Sequence, residues 1–342
     1  MNNQMNDPKN SPNTVAQNNT SSDPNTNPTT AHQTVKRPTV LACVDQSPYA
    51  TYVTDYAAWA AKRLNTGLEL LHVIDRNPEL GPDQDHSGAI GFNEQENLLK
   101  KIVDEDEQRS RLARETGRVF LNELKQRAEN QTSQSSQASQ PNQTGQTHHT
   151  DHPTLHVDMR QRHGSLVDSL LERQDQTTLV VMGRRGASSA TTSRDLGRNL
   201  ESVVRTMKCP ILSVTDEFKV PTHLMIAYDA GSASRKGLDM VATSPAFQGI
   251  KCSIVMVKDK ESKDAPRQLE QAKNKLSDAG LDVDTHLLVG DFEGLMAKSI
   301  QTLGIDLLVM GAYTHSPWRS LFMGSHTTDL LRAARVPTLL LR

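Results

Sequence analysis

A chain of 342 residues has room for two cores of ordinary domain size, and its 38 basic and 40 acidic side chains leave a net charge of −2. Acidic and basic residues are interspersed, which excludes the basic face of a typical nucleic-acid binder, and no apolar run approaches the roughly 18 residues of a membrane span. Its three cysteines, Cys43, Cys209 and Cys252, lie far apart in or beside apolar runs. They read as small buried hydrophobes in a reducing cytosol rather than as a disulfide or metal framework.

Residues 1–36 are rich in Asn, Thr and Pro with almost no large apolar side chain. Such a segment cannot bury enough surface to offset its ordering entropy, and it lacks the apolar centre of a signal peptide, so a disordered cytosolic tail is expected. A first strand ends at Val44. Asp45-Gln46-Ser47-Pro48 then leads into a helix in which Val53, Tyr56, Ala57, Ala60 and Leu64 keep helical spacing, with Gly67 as its stop. A second strand, Leu68 to Ile74, precedes a long polar loop, Asp75 to Gly91. Asn93 to Glu129 reads as a long helix, its Leu99, Ile102, Leu112, Val119, Phe120 and Leu124 recurring at roughly helical intervals.

Asn130 to Thr150 is a Gln/Ser/Thr/Asn tract without packing residues, expected as a disordered loop inserted before strand three. His148, His149, His152 and His156 in and after it suggest a metal, but that tract offers no fixed scaffold, and only weak adventitious binding is expected. A strand (Leu155 to Gln161), a helix (Leu166 to Glu172), a strand (Thr178 to Met182), a polar loop, a helix (Leu200 to Met207) and a strand (Ile211 to Val214) complete a first domain over residues 37–215.

After a short linker from Thr215 to Pro221, residues 221–342 repeat the order more compactly. Thr39–Asp45 (TVLACVD) matches Thr222–Asp229 (THLMIAYD), Leu68–Ile74 matches Lys251–Val257, and Met207–Val214 matches Arg335–Leu341. A match this long marks two copies of a whole domain. Alternating short strands and helices imply a parallel sheet covered by helices on both faces, with ligands held where the strand order reverses, between first and fourth strands. The candidate regions are therefore Asp229 with Gly311–Ser325, and Asp45 with Gly183–Arg198.

The second copy's apolar run Leu307–Met310 ends at Gly311, and Gly324-Ser325 opens an amphipathic segment. Strand, loop and helix start in this order offer free backbone N–H groups and the positive end of a helix to phosphate. A Ser-capped connection without a ligand fits the same spacing.

These residues resemble the universal stress protein family, specifically its tandem two-domain members. The family's nucleotide-binding versions carry Gly-x2-Gly-x9-Gly-Ser/Thr after the fourth strand and an Asp at the end of the first. Gly311-x2-Thr314-x9-Gly324-Ser325 keeps the spacing, with Thr314 at the second Gly. Gly183-x2-Gly186 reaches Gly197 one residue late and has Arg198 in place of Ser or Thr. The resemblance implies an α/β protein of two tandem doubly wound five-stranded parallel-sheet domains, adenine nucleotide alpha hydrolase-like and Rossmann-like, packed as a pseudo-dimer through their last strands, with homodimerisation a further option.

It also implies ATP, with or without Mg2+, in the second domain. Adenine would lie against Val257, Asp229 near adenine or ribose, and the triphosphate on the backbone of Gly311, Gly324, Ser325 and His326. There Thr314 either adds a hydroxyl contact or, being β-branched, reshapes the loop. In the first domain the matching positions are Asp45, Val73, Gly183, Gly186, Gly197 and Arg198. That site is expected to be degenerate, with Arg184, Arg185, Arg194 and Arg198 crowding the loop and pairing with acids such as Asp195 and Glu201. No nucleophile–base pair, second carboxylate beside Asp229 or P-loop lysine is evident. The expectation is a cytoplasmic, ATP-binding stress-response regulator in which any hydrolysis is slow. An interaction protein without nucleotide, and a hydrolase or electron-transfer flavoprotein relative on a similar sheet, remain alternatives.

Overall fold

The computed structural model describes residues 38–74, 92–137, 155–184, 198–215, 217–311 and 334–342. The first half runs β1 (Thr39–Cys43), α1 (Ala50–Leu64), β2 (Gly67–Ile74), α2 (Phe92–Gln137), β3 (Val157–His163), α3 (Leu166–Leu171), β4 (Thr177–Gly183), α4 (Arg198–Thr206) and β5 (Ile211–Val214). The second runs β6 (His223–Ala227), α5 (Ser232–Thr243), β7 (Lys251–Lys258), α6 (Ala265–Asp278), β8 (Val283–Val289), α7 (Phe292–Thr302), β9 (Leu307–Gly311) and β10 (Thr338–Leu341).

The strands form a single ten-stranded sheet in the order β3-β2-β1-β4-β5-β10-β9-β6-β7-β8. Within each half the ladders are parallel, and the halves meet where β10 pairs antiparallel with β5, Leu339 opposite Leu212. Side chains alternate across the sheet because the strand period is two. Val40, Ala42, Leu224 and Ile226 face one layer with α1, α2, α5 and α6, while Leu41, Met225 and Leu308 face the other with α3, α4 and α7. Burial on both faces explains why β1, β2, β6 and β7 read as near-continuous apolar runs.

Several boundaries differ from the expectation. Asn65, in the left-handed region at φ 52, ends α1 and donates its N–H to Ala61 O and Lys62 O, and Gly67 opens β2 instead of stopping the helix. Asn tolerates that conformation and serves as a C-terminal cap. Helix α2 continues through Gln137, into the tract expected to be disordered. Once a helix is nucleated each added residue gains a backbone hydrogen bond, so it propagates beyond the last packing side chain. The remainder of that tract, with His148, His149 and His152, lies outside the described residues, as does the tail. β3 begins two residues later than expected.

Helix α2 is fastened over β2 and β3. Arg127 donates to both carboxylate oxygens of the buried Asp55 on α1, each at 2.7 Å. At Gly117 a Cβ would stand 2.1 Å from Gln161 Nε2, so the missing side chain lets helix and strand approach. On the opposite face of β2, the buried Glu69 is held by Arg160 at 2.6 Å and Arg173 at 2.5 Å. The seam between halves is closed on one face by Arg63 Nε donating to Ala246 O at 3.0 Å and by Phe218 against Tyr56, ring centroids 4.8 Å apart.

Candidate functional site

In each half the strand order reverses between the first and fourth strands, β1/β4 and β6/β9. Ile226 pairs with Val309, and Ala227 with Val255. Continuing that register sets Tyr228 beside Gly311 and Asp229 beside Val257, at the carboxyl edge of the sheet. Asp229, Val257 and Gly311 are each half-buried there. The first half repeats the arrangement: Cys43 pairs with Leu71 and Met182, so Val44 comes level with Gly183, and Asp45 with Val73 and Arg184.

Asp229 holds the entrance to α5. Its Oδ1 accepts from Gly231 N at 2.8 Å and from Ser234 Oγ at 2.6 Å, and the intervening Ala230 adopts φ 61. This is an Asx-type turn, in which a short carboxylate substitutes for a backbone acceptor. Asp45 makes the equivalent turn, accepting from Ser47 N at 3.2 Å and from the Ser47 hydroxyl. Sequence reasoning did not single out Gly231 and Ser234. Their signal is the run Asp-x-Gly-x-x-Ser, a carboxylate followed by the donors that fold back onto it.

Gly311 has a packing role of its own. A Cβ there would lie 2.5 Å from Ala233 Cβ and 3.4 Å from its carbonyl carbon, so only glycine lets the end of β9 pass the first turn of α5. Thr314, Gly324, Ser325 and His326 lie outside the described residues, as do Gly186 and Gly197, and Arg198 is the first residue of α4.

Arg184 departs from the expectation that the loop arginines pair with acids such as Asp195 and Glu201. Its guanidinium donates to Ala334 O at 2.7 Å and Val336 O at 2.8 Å on the approach to β10, and to Thr338 Oγ1 at 3.2 Å at the strand's first residue. Glu201 is instead bound by Arg205 one helical turn away, and Asp195 lies outside the described residues. Because β10 runs antiparallel to β5, the chain enters β10 beside the carboxyl edge of the first half, within reach of Arg184.

Burial pushes the thiols of Cys43 and Cys252 up to about 12 and that of Cys209 to about 11, so all three are neutral and poor nucleophiles at physiological pH. His156 faces Asp158 at 3.3 Å. Among the described residues no group of three His, Cys, Asp or Glu side chains could hold a metal ion, and no helix is long and apolar enough to cross a membrane.

The profile of the universal stress protein family matches this chain twice, over residues 36–215 and 222–342. Universal stress protein Slr1230 of Synechocystis is 29% identical over 305 residues, covering 89% of this chain and 99% of that protein. Among solved structures, a universal stress protein from Archaeoglobus fulgidus superimposes with a TM-score of 0.59 at 17% identity, covering 90% of this chain and 96% of the other. A universal stress protein from Pseudomonas aeruginosa gives a TM-score of 0.53 at 13% identity, covering 89% and 93%.

Proposed function

The chain belongs to the universal stress protein family, and on that premise we propose that its second half binds an adenine nucleotide and that the bound state regulates the protein's role in the stress response. The observation that carries this reading is the register bringing Asp229, Val257 and Gly311 to one half-buried edge at the reversal of strand order, the place where open α/β sheets hold ligands. In this reading Val257 supplies an apolar surface for adenine and Asp229 an acceptor for a base or ribose donor. Gly311, Gly324, Ser325 and His326 hold the phosphates through backbone N–H groups, and Thr314 adds a hydroxyl. ATP, with or without Mg2+, is the nucleotide proposed for this set. It supplies a charged group that neutral backbone donors stabilise at a helix start.

The first half serves as a partner rather than a second equal site, since Arg184 is committed to the approach to β10. The two halves then act as an intramolecular pseudo-dimer joined through β5 and β10, and the protein works in the cytoplasm. A second reading, an interaction protein without nucleotide, has its own support: Gly311 is required by Ala233 and Asp229 by its turn.

Mass analysis of small molecules released by denaturing the purified protein separates the two. ATP or ADP supports the regulator, flavin an electron carrier, and nothing at all the interaction protein. Calorimetric titration with ATP is expected to give about one site per chain. Gly324→Leu should abolish it and Gly197→Leu should leave it, and equal loss from both changes would refute the assignment to the second half.

A further inference from the structure

We infer that the cavity at the seam between the halves binds an uncharged aromatic molecule of the size of indole. This inference is independent of nucleotide binding. The cavity offers about 210 Å³ on the face of the sheet covered by α1 and α5. Leu212 and Leu339, directly opposite each other where β5 pairs with β10, form its floor with Leu179 of β4 and Leu307 of β9. Trp59 and Leu64 of α1 form one wall and Met240 of α5 another. Arg63 Nε, donating to Ala246 O at 3.0 Å, fixes that further lining residue against α1. The lining includes the exposed Thr178, so the cavity reaches the surface.

The duplication identifies the occupant. Tyr56 and Met240 each lie eleven residues beyond the turn aspartates Asp45 and Asp229, and Thr178 and Asp306 each lie five residues before Gly183 and Gly311. Met240 and Thr178 line the cavity, and Tyr56 and Asp306 mark the equivalent place across the two-fold relation of the halves. The connection between the halves fills that place. The Phe218 ring packs on Tyr56 with centroids 4.8 Å apart, Lys219 N donates to Tyr56 Oη at 3.2 Å, and Lys219 Nζ stands 3.7 Å from Asp306. Among the described residues nothing does the same for Met240 and Thr178. One of two equivalent places thus holds an aromatic ring supplied by the chain, and the other is a cavity.

The chemistry of the lining sets the class of ligand. Leucine, methionine and tryptophan walls offer no partner to a charge, and burying an unpaired ion is costly. An uncharged aromatic molecule instead gains dispersion contacts with the leucines, ring contact with Trp59 and sulfur contact with Met240. An apolar cavity of about 150 Å³ takes benzene, so one of about 210 Å³ accommodates a two-ring system. Its walls are helices and strands already fixed by the seam, so little has to be ordered on binding.

The test is isothermal titration calorimetry of the full chain with indole. Saturable binding at one site per chain is expected, unaffected by saturating ATP. Met240→Trp and Leu64→Trp, each adding a ring to one wall, should weaken binding about tenfold or more. Thr243→Trp adds the same ring at an exposed position outside the cavity and should leave binding unchanged. In protein labelled at its methionine methyls, indole should shift the resonance of Met240 and leave that of Met296, which lies in the layer on the other face of the sheet. That measurement needs no variant to fold. Absence of saturable binding up to the solubility limit of indole, displacement by ATP, undiminished binding to both wall variants, or a shift at Met296 in place of Met240 would overturn the proposal.

Discussion

Replacing Arg184 with alanine tests the seam between the halves. The guanidinium reaches two main-chain carbonyls, Ala334 O and Val336 O, and the Thr338 hydroxyl, and Ala334 and Thr338 are fully buried. A hydrogen bond from a charged donor contributes about 1.5–3 kcal/mol when its loss strands a buried acceptor. The three bonds share one half-buried donor and are not additive, so the expected loss is about 3 kcal/mol rather than their sum. With an unfolding entropy of about 2 cal/mol/K per residue, that lowers the Tm of a chain of this size by about 4–5 °C. Arg184→Lys should recover little, because one ammonium cannot span acceptors that a planar fork reaches together. Arg205→Ala is the control, since its pairing with Glu201 is exposed and within one helix, contributing no more than about 0.5 kcal/mol. Thermal unfolding followed by circular dichroism reads all three. A loss below about 0.5 kcal/mol for Arg184→Ala, or full rescue by lysine, would refute the strap.

Glu69→Ala removes a carboxylate buried between Arg160 and Arg173. Chemical denaturation should show a loss of about 3 kcal/mol, the low end for a broken buried pair because both arginines are partly exposed. Gly311→Ala should destabilise by about 1–3 kcal/mol through overpacking against Ala233, and adding Ala233→Gly should restore stability. If that repaired double variant still binds ATP, the absence of a side chain at Gly311 serves packing against Ala233, and the backbone N–H assigned to phosphate is untouched by the change. Burial and the nearby Lys251 hold His223 below its ordinary pKa of 6.5. The unfolded chain therefore binds the extra proton first, so this contribution to stability is complete above about pH 6.5 and is lost as pH falls below it. His223→Gln should flatten the pH dependence of the urea midpoint between about pH 7.5 and 5.5, and an unchanged slope would count against it.

The strands buried on both faces were legible because such strands read as near-continuous apolar runs, as Val40–Ala42 and Leu307–Met310 do, and as Leu68–Leu71 does apart from Glu69. β3 was harder to place. Its sequence VDMRQRH is mostly exposed at the sheet edge and gives a weak periodic signal. The extension of α2 through Gln137 was hidden because backbone hydrogen bonds carry a helix past the side chains that advertise it. At the candidate site, spacing identified Asp229 and Gly311 but not what they touch. Asp229 reads alike as ligand partner or turn acceptor, and the closeness of Gly311 to Ala233 arises only when β9 and α5 are packed together. The partners of Arg184 are largely carbonyls, which every residue has, so no residue type could have announced them.

The duplicated loops also show what fusing two copies permits. β5 and β10 are equivalent strands of the two halves, and their antiparallel pairing is the arrangement a two-fold axis produces between identical subunits. Strict symmetry would require any contact made by one half to recur in the other. Here the residue after Val181-Met182-Gly183 is Arg184, whereas the residue after Val309-Met310-Gly311 is Ala312. A methyl group cannot reach across to a carbonyl two strands away. Ala312 therefore cannot supply from the second half the contact that Arg184 makes from the first. One chain with two non-identical edges can commit the first to holding the seam while the second keeps a small residue beside its glycine. A homodimer would have to choose one residue for both duties, and an arginine that strengthened its seam would also stand at both of its candidate sites.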